Sequence, residues 1–192
     1  KADMECGTTA NTAERRKQMA FSIPYFFSAT RLLANANVNM KNWKDLSQKR
    51  VVVVRGSVAS SLLRQQIQLK FSELKITEAS TSRAAFESLQ GGQADVLVGE
   101  EVVLAGLRAS AKAPSQWKIV GDGIGIEAQT VMLAKDDPAL KALIDKEIAR
   151  MINEGELSKV YEKWFMQPLP TTGVNYALPM GFLLRDSLRF PS

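Results

Sequence analysis

The stretch Arg50-Val51-Val52-Val53-Val54-Arg55-Gly56-Ser57-Val58 decides the fold class. Four consecutive valines form a short, continuously apolar, β-branched run, and such a run is buried on both faces, as strands are in a parallel sheet. Gly56 and Ser57 supply the turn and the start of a helix, which runs to about Phe71 with Leu62, Leu63, Ile67 and Phe71 on one side. A strand turning directly into an amphipathic helix is half of a βαβ unit.

Outward from that stretch the same alternation repeats. A strand is expected at Leu74 to Glu78, a helix at Ser82 to Gln90 stopped by Gly91-Gly92, a strand at Asp95 to Gly99 and a helix at Glu101 to Ser110. Trp43 to Leu46 reads as a helical turn, and Tyr25 to Leu33 and Trp117 to Gly121 read as strands. Ala128 to Ala134 reads as a long crossing strand. Asp137-Pro138 places a cap and an N1 proline in the favoured order, and Gly155 separates that helix from a last one at Glu156 to Phe165. Near the N-terminus, Asn11 or Thr12 caps a helix expected to reach about Met19. The tail beyond Pro168, with Pro170 and Pro179 close behind, is expected to be irregular. The pattern is α/β, with no internal repeat and no low-complexity tract.

Composition removes several classes of chemistry. The 192 residues contain no histidine and one cysteine, which excludes Ser-His-Asp and Cys-His nucleophiles, His-ligated metals, thiolate zinc cages and internal disulfides. Cys6 is expected to be a small buried hydrophobe on a short strand, because no neighbouring base lowers its pKa. Lys and Arg number 25 against 20 Asp and Glu, a net +5, but the basic residues are scattered. The densest group, Arg15-Arg16-Lys17, points in three directions on a helix, so no nucleic-acid partner is expected. No run approaches eighteen apolar residues, so no membrane-spanning helix is expected, and the first residues do not read as a secretory signal.

Four segments carry a resemblance. They are Cys6-Gly7-Thr8-Thr9 leading into Glu14-Arg15-Arg16-Lys17 and Phe21-Ser22; Asp45-Leu46 before Val51 to Ser57; Leu89-Gln90-Gly91-Gly92-Gln93-Ala94-Asp95; and Gly155 with Tyr161-Glu162-Lys163-Trp164-Phe165. Together they resemble the periplasmic solute-binding proteins of amino-acid ABC importers (solute-binding protein family 3). Ala29-Thr30-Arg31-Leu32-Leu33, the Trp117 to Gly121 strand and the tail are most similar to the glutamate/aspartate-binding subgroup. The resemblance implies a two-lobed α/β type II binding fold closing on an amino acid. Residues 1–28 and 135–192 would form lobe one, 29–33 and 128–134 the crossovers, and 34–127 lobe two. Lobe one would be incomplete at its N-terminus, because the family's chain begins with a signal peptide and further strands and helices. Self-association or strand exchange would then cover its apolar faces. The implied protein is periplasmic, is not an enzyme, needs no cofactor or metal, and hands its ligand to an inner-membrane ABC permease.

An acidic amino acid brings two carboxylates and one ammonium, which call for two arginine forks and one acidic acceptor. By resemblance Arg15 grips the α-carboxylate beside Gly7, Thr8 and Thr9, and Arg31 takes the second carboxylate. Read without the resemblance, Arg15 is a solvated surface residue and Arg31 half of an internal salt bridge. Gly56, Ser57 and Val58 offer backbone N–H groups to an anion, or simply start a helix. Val58 lacks the hydroxyl that acidic binders carry there, and Ser82 stands near a position where some members place a histidine. Glu100 matches an aspartate that pairs with the ammonium, and is otherwise a first-turn helix acid. Two other readings remain open. One is a truncated sensory or interaction relative without ligand binding. The other is a cyclohexadienyl dehydratase-like enzyme of the same fold, for which Glu100 would be the cleft acid.

Overall fold

The structure, a computed structural model, describes residues 2–7, 11, 13–70 and 74–189, and for 66–70 the backbone only. Its elements in chain order are β1 (Met4–Glu5), β2 (Met19–Phe21), β3 (Phe26–Asn35), β4 (Arg50–Val54), α1 (Val58–Lys70), β5 (Lys75–Ala79), α2 (Ser82–Gln90), β6 (Val96–Glu100), α3 (Glu101–Ala109), β7 (Trp117–Gln129), β8 (Met132–Ala134), α4 (Pro138–Asn153), α5 (Glu156–Tyr161) and α6 (Phe182–Arg189). Two units form. The first takes residues up to Ser28, Glu127–Gly173 and the chain from Leu178 on; the second takes Ala29–Ile126 and Val174–Ala177.

The valine run forms β4, as its pattern requires, an interior strand of the second unit's sheet. Five strands lie in the order β5-β4-β6-β3-β7. β4 is parallel to β5 and β6, with Val51, Val52 and Val53 opposite Val96, Leu97 and Val98. β3 runs antiparallel to β6, placing Thr30 opposite Glu100 and Arg31 opposite Gly99. Because strand side chains alternate, the run feeds two cores. Val51 and Val53 join Leu32, Met40, Leu46, Leu63, Val96 and Val98 on one face. Val52 joins Leu33, Phe86, Leu89, Leu97 and Leu104 on the other. Of the expected apolar side of α1, Leu63 is buried, while Phe71 and the side chain of Ile67 lie outside the described residues.

The start of β6 is fastened to β4 by one residue. Asp95 accepts from the Arg50 backbone N–H at 2.8 Å, from Nε at 3.1 Å and from Nη2 at 2.6 Å. The Arg50 side chain, foremost, and its backbone N–H hold the Asp95 carboxyl below its ordinary pKa of 3.8. A carboxylate whose pKa is depressed by folding adds stability that is complete above the ordinary value and disappears as pH falls through the folded value. Urea unfolding between pH 7 and pH 3 is therefore expected to show wild type losing stability below about pH 4. Asp95→Asn should flatten that acid limb, and an identical limb in both proteins would contradict the assignment.

The first unit is built on a small sheet in the order β1-β8-β2, with β8 antiparallel to both neighbours. Leu133 at its centre is fully buried with Val131, Ile148 and Ile152, so α4 covers this sheet. The Asp145 carboxylate on α4 accepts the Ile23 N–H at 2.8 Å and pairs with Lys141. A π-helical turn, Glu162–Met166, follows α5 and sets Phe165 against Tyr161 and Phe26 in a stacked aromatic group. The Tyr161 hydroxyl donates to the Leu178 carbonyl at 3.1 Å, and the Leu178 N–H donates to the Phe165 carbonyl at 3.1 Å.

Four expectations are corrected. Among the described residues no α-helix reaches Met19: Arg15–Lys17 makes one 3₁₀ turn and Met19–Phe21 is strand, because pairing with β8 outweighs local helix preference. The segment 128–134 is two strands, β7 ending at Gln129 and β8 starting at Met132. Cys6 is exposed, lying just past β1. The tail carries α6, with Leu184 buried and Leu188 packed toward the core of the first unit.

Candidate functional site

Parallel strands end together, and the loops at their carboxyl ends form the edge where open α/β sheets bind ligands. β4, β5 and β6 all finish at one edge of the second sheet, and antiparallel β3 begins there. That edge gathers Arg31, Gly56, Ser57, Val58, Ser82 and Glu100. Six of the ten residues singled out by sequence thus lie at or next to the same edge of the sheet, on both of its faces, although they are scattered from position 31 to position 100.

At the end of β4, Gly56 turns the chain at φ +70°, a left-handed conformation that costs glycine little. Ser57 then caps α1: its hydroxyl accepts the Ser60 N–H at 3.1 Å and donates to the Val54 carbonyl at 2.7 Å. The helix-start reading of Ser57 is therefore what its side chain does. Val58 and Ala59 are the first two residues of the helix, where backbone N–H groups have no acceptor within the helix itself. Val58 is 41% exposed. Ser82 is the first residue of α2, but the cap there is Thr81, whose hydroxyl accepts the Ala84 N–H at 3.1 Å. Glu78, near the end of β5, is held below the ordinary carboxylate range, first by the Arg64 side chain and then by Arg55.

Arg31 and Glu100 occupy opposite faces of the sheet. Glu100 ends β6 opposite the buried Thr30 and does not cap the helix that follows. Arg31 lies on the other face, its Nε donating to the Gly121 carbonyl at 2.9 Å and its Nη1 to the carboxylate of Glu101. The salt-bridge reading of Arg31 is thus realised, with a partner 70 residues away. Gly121 sits at φ +81°, and a side chain there would crowd Leu32 and Trp43 at 3.3 Å, so this carbonyl needs a glycine to reach Arg31.

In the first unit, Gly7 follows β1 and Arg15 is exposed on the 3₁₀ turn. Thr8 and Thr9 lie outside the described residues. Tyr25 is raised above its ordinary pKa, mainly by burial and then by Cys6 and Glu5. Among the described residues no group of three or more His, Cys, Asp or Glu side chains could hold a metal ion, and no helix is long and apolar enough to cross a membrane.

Residues 1–167 match the bacterial extracellular solute-binding proteins, family 3, and the chain belongs to that family. It is 38% identical over 187 residues to the glutamate/aspartate import solute-binding protein of Escherichia coli, covering 97% of this chain and 61% of that one. To the L-glutamate/L-aspartate-binding protein of Pseudomonas aeruginosa it is 35% identical over 190 residues, covering 99% and 63%. The chain therefore spans about three-fifths of the length of these curated relatives. Among solved structures it is similar to an ancestral arginine-binding protein bound to glutamine, at TM-score 0.69 and 27% identity over 85% of this chain and 71% of that one. It is equally similar to the GluR0 ligand-binding core from Nostoc punctiforme in complex with L-glutamate, at TM-score 0.69 and 25% identity over 85% and 73%. The α/β fold is that of the type II periplasmic binding proteins.

Proposed function

We propose that this chain is the binding component of an amino-acid importer, capturing glutamate or aspartate outside the cytoplasm and presenting it to an ABC permease. The reading is carried by the 38% identity, across nearly all of this chain, to a protein named for glutamate/aspartate import. Arg15 is assigned to the α-carboxylate, with Gly7, Thr8 and Thr9 beside it. Arg31 takes the side-chain carboxylate, the amides after Gly56 and Ser57 serve as further anion donors, and Ser82 offers a hydroxyl. Glu100 receives the ammonium. No bond of the ligand is broken in this reading; the chemistry is capture and release in the periplasm.

Mass spectrometry of small molecules released from freshly isolated protein tests this assignment. Glutamate or aspartate in near-stoichiometric amount is the expected result, and a basic amino acid in their place would overturn it.

Glu100 adds a finer expectation. Glutamate is one methylene longer than aspartate, so its carboxylate reaches roughly 1.5 Å further from the same backbone position. That length suits the shorter ligand and crowds the longer one, forcing a rotamer change worth roughly 0.5 to 1.5 kcal/mol. Wild type should prefer aspartate, and Glu100→Asp should move the preference toward glutamate. Equal affinity ratios in the two proteins, measured by calorimetry, would show that Glu100 does not meet the ligand.

A further inference from the structure

A guanidinium has five N–H donors in a rigid plane. For Arg31, Nε is bound by the Gly121 carbonyl and one Nη1 donor by Glu101, and among the described residues the two donors of Nη2 have no acceptor. The Arg31 and Glu101 side chains are 28% and 25% exposed, so the pair is sheltered without being sealed. Glu101 opens α3, where the helix dipole already favours a negative group. Two fixed points thus hold the plane of Arg31 in one orientation and leave one amino group available.

We propose that Glu101 is a positioning residue for Arg31 that also tempers its charge, so that this clamp selects its ligand partly by hydrogen-bond geometry. The proposal rests on the assignment of Arg31 to the second carboxylate. A carboxylate ligand gains from Arg31's charge and loses from Glu101's, whereas an amide ligand such as glutamine feels both weakly. Glu101→Gln keeps the shape and an acceptor oxygen while removing the opposing charge. It is expected to widen the glutamate-to-glutamine affinity ratio about fivefold, the effect of one partly screened charge. Glu101→Ala removes the pin, lets the guanidinium swing, and is expected to narrow the ratio.

Two readouts separate this inference from the assignment beneath it. In ligand-free protein, nitrogen-15 NMR should resolve the Nη groups of Arg31 separately in wild type and in Glu101→Gln, and average them in Glu101→Ala. Resolved signals in Glu101→Ala would overturn the positioning role. Calorimetry with glutamate and glutamine reads the discrimination, and a ratio unchanged by both substitutions would overturn it. If the NMR signals behave as expected while Arg31→Ala leaves the ratio of wild type intact, Glu101 positions Arg31 and it is the ligand assignment of Arg31 that fails.

Discussion

Val52→Asp is expected to abolish cooperative folding of the second unit. Val52 is fully buried in β4, an interior strand of the sheet, opposite Thr77 on β5 and Leu97 on β6. Its side chain packs with Leu33, Phe86, Leu89 and Leu104. An aspartate there would lie among these apolar side chains, and an unpaired buried charge costs about 3 to 5 kcal/mol beyond the lost apolar burial. That is comparable with the roughly 5 to 15 kcal/mol that holds a whole domain together. Val52→Ala, which leaves only a cavity, should lose about 2 kcal/mol and still fold. Tryptophan fluorescence during urea unfolding reads both, since Trp117 packs edge-on against Phe86 at 5.2 Å and the Trp43 indole donates to the Asp122 carbonyl at 2.8 Å. A Val52→Asp midpoint equal to wild type would contradict the two-core description of this sheet.

The second large effect concerns Arg31. Charge-assisted hydrogen bonds sheltered from water contribute about 1.5 to 3 kcal/mol each. On the proposed assignment of Arg31 to the ligand's second carboxylate, Arg31→Ala removes those bonds, and it leaves Glu101 without its cationic partner. Glutamate binding should weaken by about 2 to 4 kcal/mol while glutamine binding changes far less, so the preference for the acid collapses. Arg15→Ala should instead weaken both ligands together, because the α-carboxylate is common to them. An unchanged glutamate-to-glutamine ratio in Arg31→Ala would remove Arg31 from the site.

The parts of this fold that sequence made legible are those where one local pattern coincides with one burial requirement. Val51 to Val54 could be assigned because alternation along a continuously apolar run leaves no exposed face, and both faces are in fact filled. Ser57 could be read as a helix start because its role is local, three residues from the N–H it accepts. The segment 12–19 misled because its polar, helix-favouring residues carry no sign that Met19–Phe21 would be recruited by β8 over a hundred positions away. Helix α6 was hidden by the prolines before it, although Leu184 and Leu188 are spaced one turn apart. The partner of Arg31 was invisible for a similar reason. Glu101 looks like an ordinary first-turn acid, and only the β3 to β6 register carries Arg31 to it.

Binding of an acidic amino acid is the property on which the proposed function stands. Isothermal titration of the purified wild-type protein with aspartate, glutamate, glutamine and arginine tests it directly. Saturable binding of aspartate and glutamate is expected, aspartate the tighter, with glutamine weaker than either and arginine not bound. Tighter binding of arginine or glutamine than of both acids, or a folded protein that releases no heat with any of the four and shows no thermal stabilisation by them, would contradict it.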